Sequence, residues 1–499
     1  MTFGLTVYVQ YHGCVGPESG SNTMKIANHF RLAKTQAELD FVNIDVRHDT
    51  PVFVDPYAIE IRNDEWSALC GDHLRSFFSS VLEALRTNHE SRALQLVSHL
   101  QEPRETFLGV SKGKPQGRGL GAFQGNQLLD ALARSRAVET GVLSDIAEAE
   151  LFVEGIGPDK MSDLTTNIIR GPLIDYTVAQ CNLHNIPVHA GCSVGAVWDP
   201  ARETWRQQYH SLPKIGNQPI ILVPKYSVRQ RLSIDGQEFY NHHMVEFLQA
   251  EHISVNSSLV HVLRSGERVV YKKDVKQQHP FIKNDLADFV RKNPTVLAQY
   301  KRLKGASGTM TIRDFDESFD ENAFAEALLE SLRGVRPGND DAGRYHSLMI
   351  GVLEFLFFPS LIYPFKEHEI NEGRKRIDIK YTNAARSGFF FRMLQSPQAR
   401  AISVFVECKN YSKDLANPEL DQLSGRFGLT RGFFGLLCCR SFSDKRLFEA
   451  RCRDTAKDQH HFIIVLDDDD IAGMLTAIST GRRRNIDVVL QRKFDYLCS

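Results

Sequence analysis

Two segments in the last third of the chain carry side chains suited to work on a phosphodiester. In AISVFVECKNYS, Val404, Phe405 and Val406 lead into Glu407-Cys408-Lys409. Side chains alternate along a strand, so Glu407 and Lys409 emerge on one face and Cys408 on the other. In GRKRIDIKYTN, Ile377 and Ile379 flank Asp378, which sets one carboxylate opposite two apolar anchors. If the strands pair, Asp378 and Glu407 converge on a hard divalent cation through oxygen ligands. Mg²⁺ suits such a site, with Mn²⁺ able to substitute, because it keeps several waters and touches a substrate phosphate. The cation polarises the phosphoryl oxygen and lowers the pKa of a bound water. Lys409 positions that water or stabilises developing negative charge.

The neighbouring residues fit the same chemistry. YHSLMIGVLEFLFF, Tyr345 to Phe358, reads as a strongly apolar helix with one carboxylate, Glu354. A lone acid there is expensive to bury unless it is paired or bound to metal. NPELDQLSGRFG predicts a helix from Asn417, with Gln422 pointing back toward the site. Arg374, Lys375 and Arg376 precede Asp378, where a scissile backbone would pass. The acidic run Asp467 to Asp470 follows a buried strand and reads as a loop and helix amino terminus, where acids suit the macrodipole.

The order Glu354, Asp378, Glu407-x-Lys409, Gln422 resembles the PD-(D/E)XK restriction-endonuclease superfamily, particularly its Mrr-like branch. In that family a helix glutamate, a hairpin aspartate and an E-x-K strand surround Mg²⁺, and the next helix often supplies glutamine. The strand-and-helix segment HFIIVLDDDDIAGML is also similar to the way such domains close. The resemblance covers roughly residues 325 to 499. One departure is the 28 residues between Asp378 and Glu407, long for a hairpin. The resemblance implies Asp378, Glu407, Lys409, Glu354 and Gln422 as catalytic residues and Asp378, Glu407 and Glu354 as metal ligands. It also implies a phosphodiester substrate.

The elements that must position these residues follow from pattern. At 499 residues the chain is long enough for two to four domains. Its 42% hydrophobic and 24% charged content is that of a globular protein. Sixty basic against 61 acidic residues neither announce nor exclude a nucleic-acid partner. No apolar run approaches the roughly 20 residues of a membrane span, and the amino terminus lacks a secretion signal. Nine scattered cysteines point to reduced thiols and a cytoplasmic location. Strands at IDIKYT, AISVFVECKNY, GFFGLLCCR and HFIIVLDD, with helices between the last three, predict an α/β class. The expected fold has a restriction-endonuclease-like mixed sheet flanked by helices over 323–499. An acidic connector over 306–322 precedes it. Before that come a larger α+β module over 1–225 and a basic, mainly helical stretch over 226–305.

Within that module, residues 39 to 60 read as two short strands and 73 to 100 as helix. Ser111 to Gly125 reads as glycine-rich loop, ELFVEG as strand, PDKMSDLTTN onward as helix and QPIILVPK as a buried strand. Lys112, Lys114 and Arg118 on the loop are suited to nucleic-acid backbone contact. Asp159 and Asp163 read as capping acids. Asp45, His48, Asp49 and Asp55 read as structural rather than metal-binding, and Cys181, His184 and Cys192 lack a second ligand pair for zinc. GPDKMSDLTTN and ILVPK resemble segments of bacterial proteins of unassigned role, which implies a sensing, oligomerising or restraining module. The resulting expectation is a Mg²⁺-dependent DNA endonuclease in restriction or antiviral defence, as a homodimer or with a partner protein. Two alternatives stay open: an RNase or repair nuclease with the same site, and an inactive nucleic-acid-binding scaffold.

Overall fold

The computed structural model describes residues 24–109, 120–366 and 379–499. Lys112, Lys114, Arg118, Arg374, Lys375, Arg376 and Asp378 therefore lie outside the described residues. Buried apolar side chains sort into two cores. One runs from Ile26 to Met310 and takes in Ile362; the other runs from Ala325 to Leu497 and takes in Ala37 and Leu183. The segment between them is packed, not extended. Its helical turn Ile312–Phe315 opens with a reciprocal Thr311–Asp314 cap, and Ile312 and Phe319 pack on the second core. Among the described residues, no helix is long and apolar enough to cross a membrane.

The first core is built mainly of helices. Helix α1, Glu65–Arg86, starts where the Asp64 side chain accepts the Ser67 N–H, and it buries Trp66, Leu74, Phe77 and Val81. Its predicted continuation to residue 100 breaks at Thr87, and a second helix follows over Glu90–Val97. Helix α2, Leu120–Ala133, begins inside the predicted glycine-rich loop. Gly125 lets it close on Val97, where a Cβ would lie 2.8 Å from the Val97 carbonyl. The predicted strand ELFVEG is instead a helical turn, Ala149–Phe152, because Asp145 caps the 3₁₀ turn leading into it. Helix α3, Pro158–Ile168, has proline in its first turn, and α4, Arg170–His184, ends on Asn185 at φ +55°.

Strand expectations fare worse in this half. Within 39–60 only Phe53–Val54 forms a strand, pairing with Val228–Arg229, and Asp55 then caps a helix over Pro56–Glu60. QPIILVPK is buried from Ile220 onward, yet it forms a strand only at Gln218–Pro219, with one further antiparallel bridge from Pro224 to Phe41. Its flanking prolines remove ladder donors. The Ile221 and Leu222 N–H groups donate to the Glu105 carbonyl (2.8 Å) and the Thr177 hydroxyl (2.9 Å) instead. Beyond it lie a hairpin, His261–Val262 with Arg268–Val269, and helices α5, Lys283–Lys292, and α6, Pro294–Ala306.

The second core holds a five-stranded mixed sheet between helices. Helices α7, Glu321–Arg333, and α8, Ala342–Phe357, lead into β1, Leu361–Phe365, and β2, Ile379–Asn383. Helix α9, Gly388–Gln395, fills the long connection to β3, Ser403–Lys409, which is why the intervening 28 residues still join antiparallel neighbours. Then come α10, Asn417–Ser424; β4, Phe434–Cys439; α11, Lys445–Gln459; β5, Phe462–Leu466; α12, Asp468–Ser479; and α13, Asn485–Cys498. Strand order is β1-β2-β3-β4-β5, antiparallel across the first three and parallel across the last three. The four buried apolar runs expected as strands are strands. Strand β1, which carries Pro364, was not among the expected strands; proline is tolerated at a sheet edge.

The N-terminal helices cover that edge. The Gln180 amide on α4 donates to the Pro364 carbonyl at 2.8 Å, and the Tyr363 N–H donates to Asp40 at 3.1 Å. Arg386 reaches across to the Gly305 and Ile61 carbonyls at 2.7 and 2.8 Å. Together these contacts dock the two cores through β1, α8 and the turn before α9.

Candidate active site

Strand β3 is the middle strand of the sheet, and its described carboxyl end is paired along β4. On one side β2 begins at Ile379, paired with Val406; on the other, Glu407 to Lys409 run beside Leu437 to Cys439. Alternation sets Phe405, Glu407 and Lys409 on one face. The Phe427 ring, 6.1 Å from that of Phe405, brings α10 and the turn after it onto that face. Glu407 is 1% exposed, and the Lys409 ammonium lies 2.5 Å from its carboxylate. Gln422 on α10 accepts from Lys409 at 3.5 Å. The α10 register that points Gln422 inward is set by Pro418 in the first turn and by Glu419, which accepts the Ala416 N–H at 2.9 Å. Three sequence-predicted residues, Glu407, Lys409 and Gln422, thus converge.

Glu354 does not join them. It is 1% exposed on α8 with its carboxylate 2.9 Å from the ammonium of Lys225, which is itself fully buried. Lys225 also donates to the Leu39 carbonyl at 2.6 Å and sits 3.9 Å from the centre of the Phe358 ring. Burial, then the charge of Glu354, raise the pKa of Tyr381, whose side chain shares its sheet face with Val404 and Val406. That is the face opposite Glu407 and Lys409. The expensive lone acid foreseen in this helix is therefore stabilised by an ion pair to the N-terminal half. Burial raises its pKa and Lys225 opposes the rise. Asp40, also buried, accepts from the Tyr176 hydroxyl at 2.7 Å. Burial, then Glu354, push Asp40 up to about 7 against Lys225.

Behind the converging residues lies a clamp that pattern reasoning missed. Asn410 directly follows Lys409, and its amide donates to the Arg336 and Gly338 carbonyls at 2.9 and 2.7 Å. Arg440, one residue past β4, donates to the Asn410 side chain at 3.3 Å and the Val335 carbonyl at 2.8 Å. Its Nε lies 2.8 Å from Asp468, and its guanidinium is 5.0 Å from the Tyr345 ring centre. Burial lifts Asp468 to about 7, with Arg440 opposing. One signal was readable: polar residues at the carboxyl ends of adjacent parallel strands gather at one edge of a sheet. The rest of the acidic run caps α12 as expected. Asp467 accepts the Asp470 N–H at 3.0 Å, and Lys445 bridges Asp467 (2.6 Å) and Asp470 (2.9 Å).

The other sequence candidates are structural. Asp55 accepts from Tyr57 N–H and from Ser233, and Asp45 accepts the Met24 and Arg47 N–H groups. Gly157, not an aspartate, is the N-cap of α3; burial, then Asp159, push Asp163 up to about 8. His184 is driven down to about 3 by burial, and the described cysteines are free thiols. Among the described residues, no three His, Cys, Asp or Glu side chains cluster as a metal-holding group. Glu407 still offers a buried, hard oxygen donor, ion-paired with Lys409. A Mg²⁺ ion fits that donor chemistry when a second carboxylate joins it.

A family described as a domain of unknown function (DUF8370) matches residues 31–235. No curated protein and no solved structure matches the chain. The matched span contains Asp40 and Lys225, so the N-terminal side of the Glu354 ion pair belongs to it, whereas Glu407, Lys409 and Gln422 lie beyond it.

Proposed function

We propose that the chain is a Mg²⁺-dependent endonuclease that hydrolyses DNA phosphodiesters, acting in restriction or antiviral defence under control of its N-terminal half. One observation carries this reading. Glu407 and Lys409 share a face at the carboxyl end of a central strand, with Gln422 reaching the same point from the next helix. The order of a buried helix, an antiparallel meander, a helix and a parallel strand agrees with a restriction-endonuclease-like core. Glu407, with Asp378 adjoining β2 in sequence, would hold the metal. When bound, Mg²⁺ supplies charge neutralisation of the scissile phosphate and a water of lowered pKa. Lys409 donates to the attacking water or to a phosphoryl oxygen as negative charge grows there. Gln422 fixes the Lys409 ammonium, and the Asn410–Arg440 clamp keeps the strand end rigid.

The test is cleavage of supercoiled plasmid by the full chain in Mg²⁺, against EDTA and against Lys409→Ala. Loss of a catalytic donor of this kind removes about 10²–10³ in rate. Equal cutting by wild type and Lys409→Ala would overturn the assignment. Faster cutting of RNA transcripts than of plasmid would reassign the substrate.

A further inference from the structure

Between the DUF8370-matching span and the second core, one element stands out from the surface. Residues 261–269 form an antiparallel hairpin, with Val262 opposite Arg268 and His261 opposite Val269, and every side chain from His261 to Arg268 is exposed. Its tip is tight. Leu263 N–H donates to the Glu267 carbonyl and Gly266 N–H to the Leu263 carbonyl, both at 2.9 Å. Gly266 takes φ +83°, which glycine adopts without strain. The base is fixed: Val270 and Val275 are buried, the Gln249 amide donates to the Val270 carbonyl at 2.5 Å, and His261 lies 3.3 Å from Asp274. A short helix, Lys272–Gln278, follows at once.

The charge on this element is one-sided. Residues 261–276 carry Arg264, Arg268, Lys272, Lys273 and Lys276 against Glu267 and Asp274. Lys272 is engaged by Glu246 at 2.6 Å. Among the described residues, Arg264, Arg268, Lys273 and Lys276 meet no carboxylate within ion-pair distance, although all four are exposed. Exposed Tyr271, Phe281 and Val262 lie among them. Lys273 and Lys276 lie over the Tyr271 and Tyr240 rings, at 5.5 and 6.0 Å, and keep their exposure there, while Arg264 and Arg268 project from the arm with no acidic partner among the described residues.

We infer that the hairpin His261–Val269, with Lys273 and Lys276 at its foot, is a duplex-DNA-binding arm. The B-form major groove admits a two-stranded β-ribbon. The A-form RNA groove is too deep and narrow for side chains to read, so the shape selects DNA over double-stranded RNA. Arg264 and Arg268 contact the groove and its phosphates, while Lys273 and Lys276 hold the flanking backbone. The inference rests on the nuclease reading only in placing the bound duplex at the service of Glu407 and Lys409; the binding itself needs no cleavage.

The experiment is fluorescence anisotropy of the full chain with a labelled duplex of about 25 base pairs, in EDTA and across a salt series. Four phosphate contacts predict a log–log salt slope near −3.6, or roughly 100-fold weakening between 50 and 200 mM salt. The Arg264→Ala/Arg268→Ala double variant, with an unchanged melting temperature, is expected to bind at least ~10-fold more weakly and to lose about 2 from the slope. Arg264→Lys/Arg268→Lys is expected to restore the slope. Duplex RNA is expected to bind at least ~10-fold more weakly than DNA. Wild-type affinity and slope in the alanine variant, equal binding of duplex RNA, or capture by phosphatidylserine vesicles in place of duplex would each overturn the inference. Arginine-dependent DNA binding without any cutting would uphold it while removing the nuclease reading. Cutting with an arm-independent affinity would do the reverse.

Discussion

Replacing Asp40 by asparagine tests the buried charge cluster between the two cores. Asp40 is 1% exposed and shares its surroundings with Glu354 and one close cation, Lys225. Its folded pKa of about 7 lies above its ordinary 3.8. A carboxyl raised in this way contributes stability that is complete below pH 3.8 and is lost as pH climbs through 7. The span is roughly three pH units, and at about 1.36 kcal/mol per unit the loss approaches roughly 4 kcal/mol. An asparagine side chain cannot ionise, and the local geometry can be kept. The carbonyl oxygen of the new amide still accepts the Tyr363 N–H, and its NH₂ group can donate to the Tyr176 hydroxyl oxygen. Urea unfolding followed by tryptophan fluorescence reports on the correct half, because Trp66, Trp198 and Trp205 all belong to or pack on the first core. The Asp40→Asn variant is expected to match or fall slightly below wild type at pH 4 and to exceed it at pH 8 by up to roughly 4 kcal/mol. A difference between the two proteins that stays constant from pH 4 to pH 8 would refute the reasoning.

Two further substitutions follow from the same contacts. Lys225→Met removes the ion-pair partner of Glu354, leaving it Lys34 as a nearby cation, and removes the cation that opposes the charge of Asp40, which is expected to cost about 3–5 kcal/mol at pH 8. The cost should shrink at pH 5, because removing the cation raises both folded pKa values further and both acids protonate. Equal urea midpoint losses at the two pH values would contradict this. Gly432 sits at φ +96°, and a Cβ there would fall 2.2 Å from the Arg400 carbonyl oxygen. Gly432→Ala is therefore expected to destabilise the second core by more than about 2 kcal/mol. Calorimetry showing a wild-type melting temperature would count against that close approach.

How much of this was readable beforehand depended on the range of each cause. The common face of Glu407 and Lys409 follows from alternation within three residues, and the inward Gln422 follows from a helix start marked by Asn417 and Pro418. The four apolar strands were readable for the same local reason. Glu354 was rightly seen as needing a partner. That partner, Lys225, lies far earlier in the chain, where no pattern could nominate it over a metal. QPIILVPK has the composition of a buried strand, but prolines at 219 and 224 deny it a ladder, and its N–H groups go to the distant Glu105 carbonyl and the Thr177 hydroxyl. Arg440 and Asn410 look like ordinary strand ends until the parallel register of β3 and β4 makes them neighbours.

Strand β1 bears on how such a chain can evolve. Its outer edge is satisfied by side chains of the other half, through Gln180 to Pro364 and Asp40 to Tyr363, and the acid on α8 behind it takes its counter-ion from Lys225. An effector unit acquired by gene fusion with a free linker would carry its own finished edge. This one is completed only by its companion, so recombination that exchanged either half alone would leave an open edge and a stranded buried charge. A substitution at Asp40, Gln180 or Lys225 is therefore expected to call for an answering change across the seam.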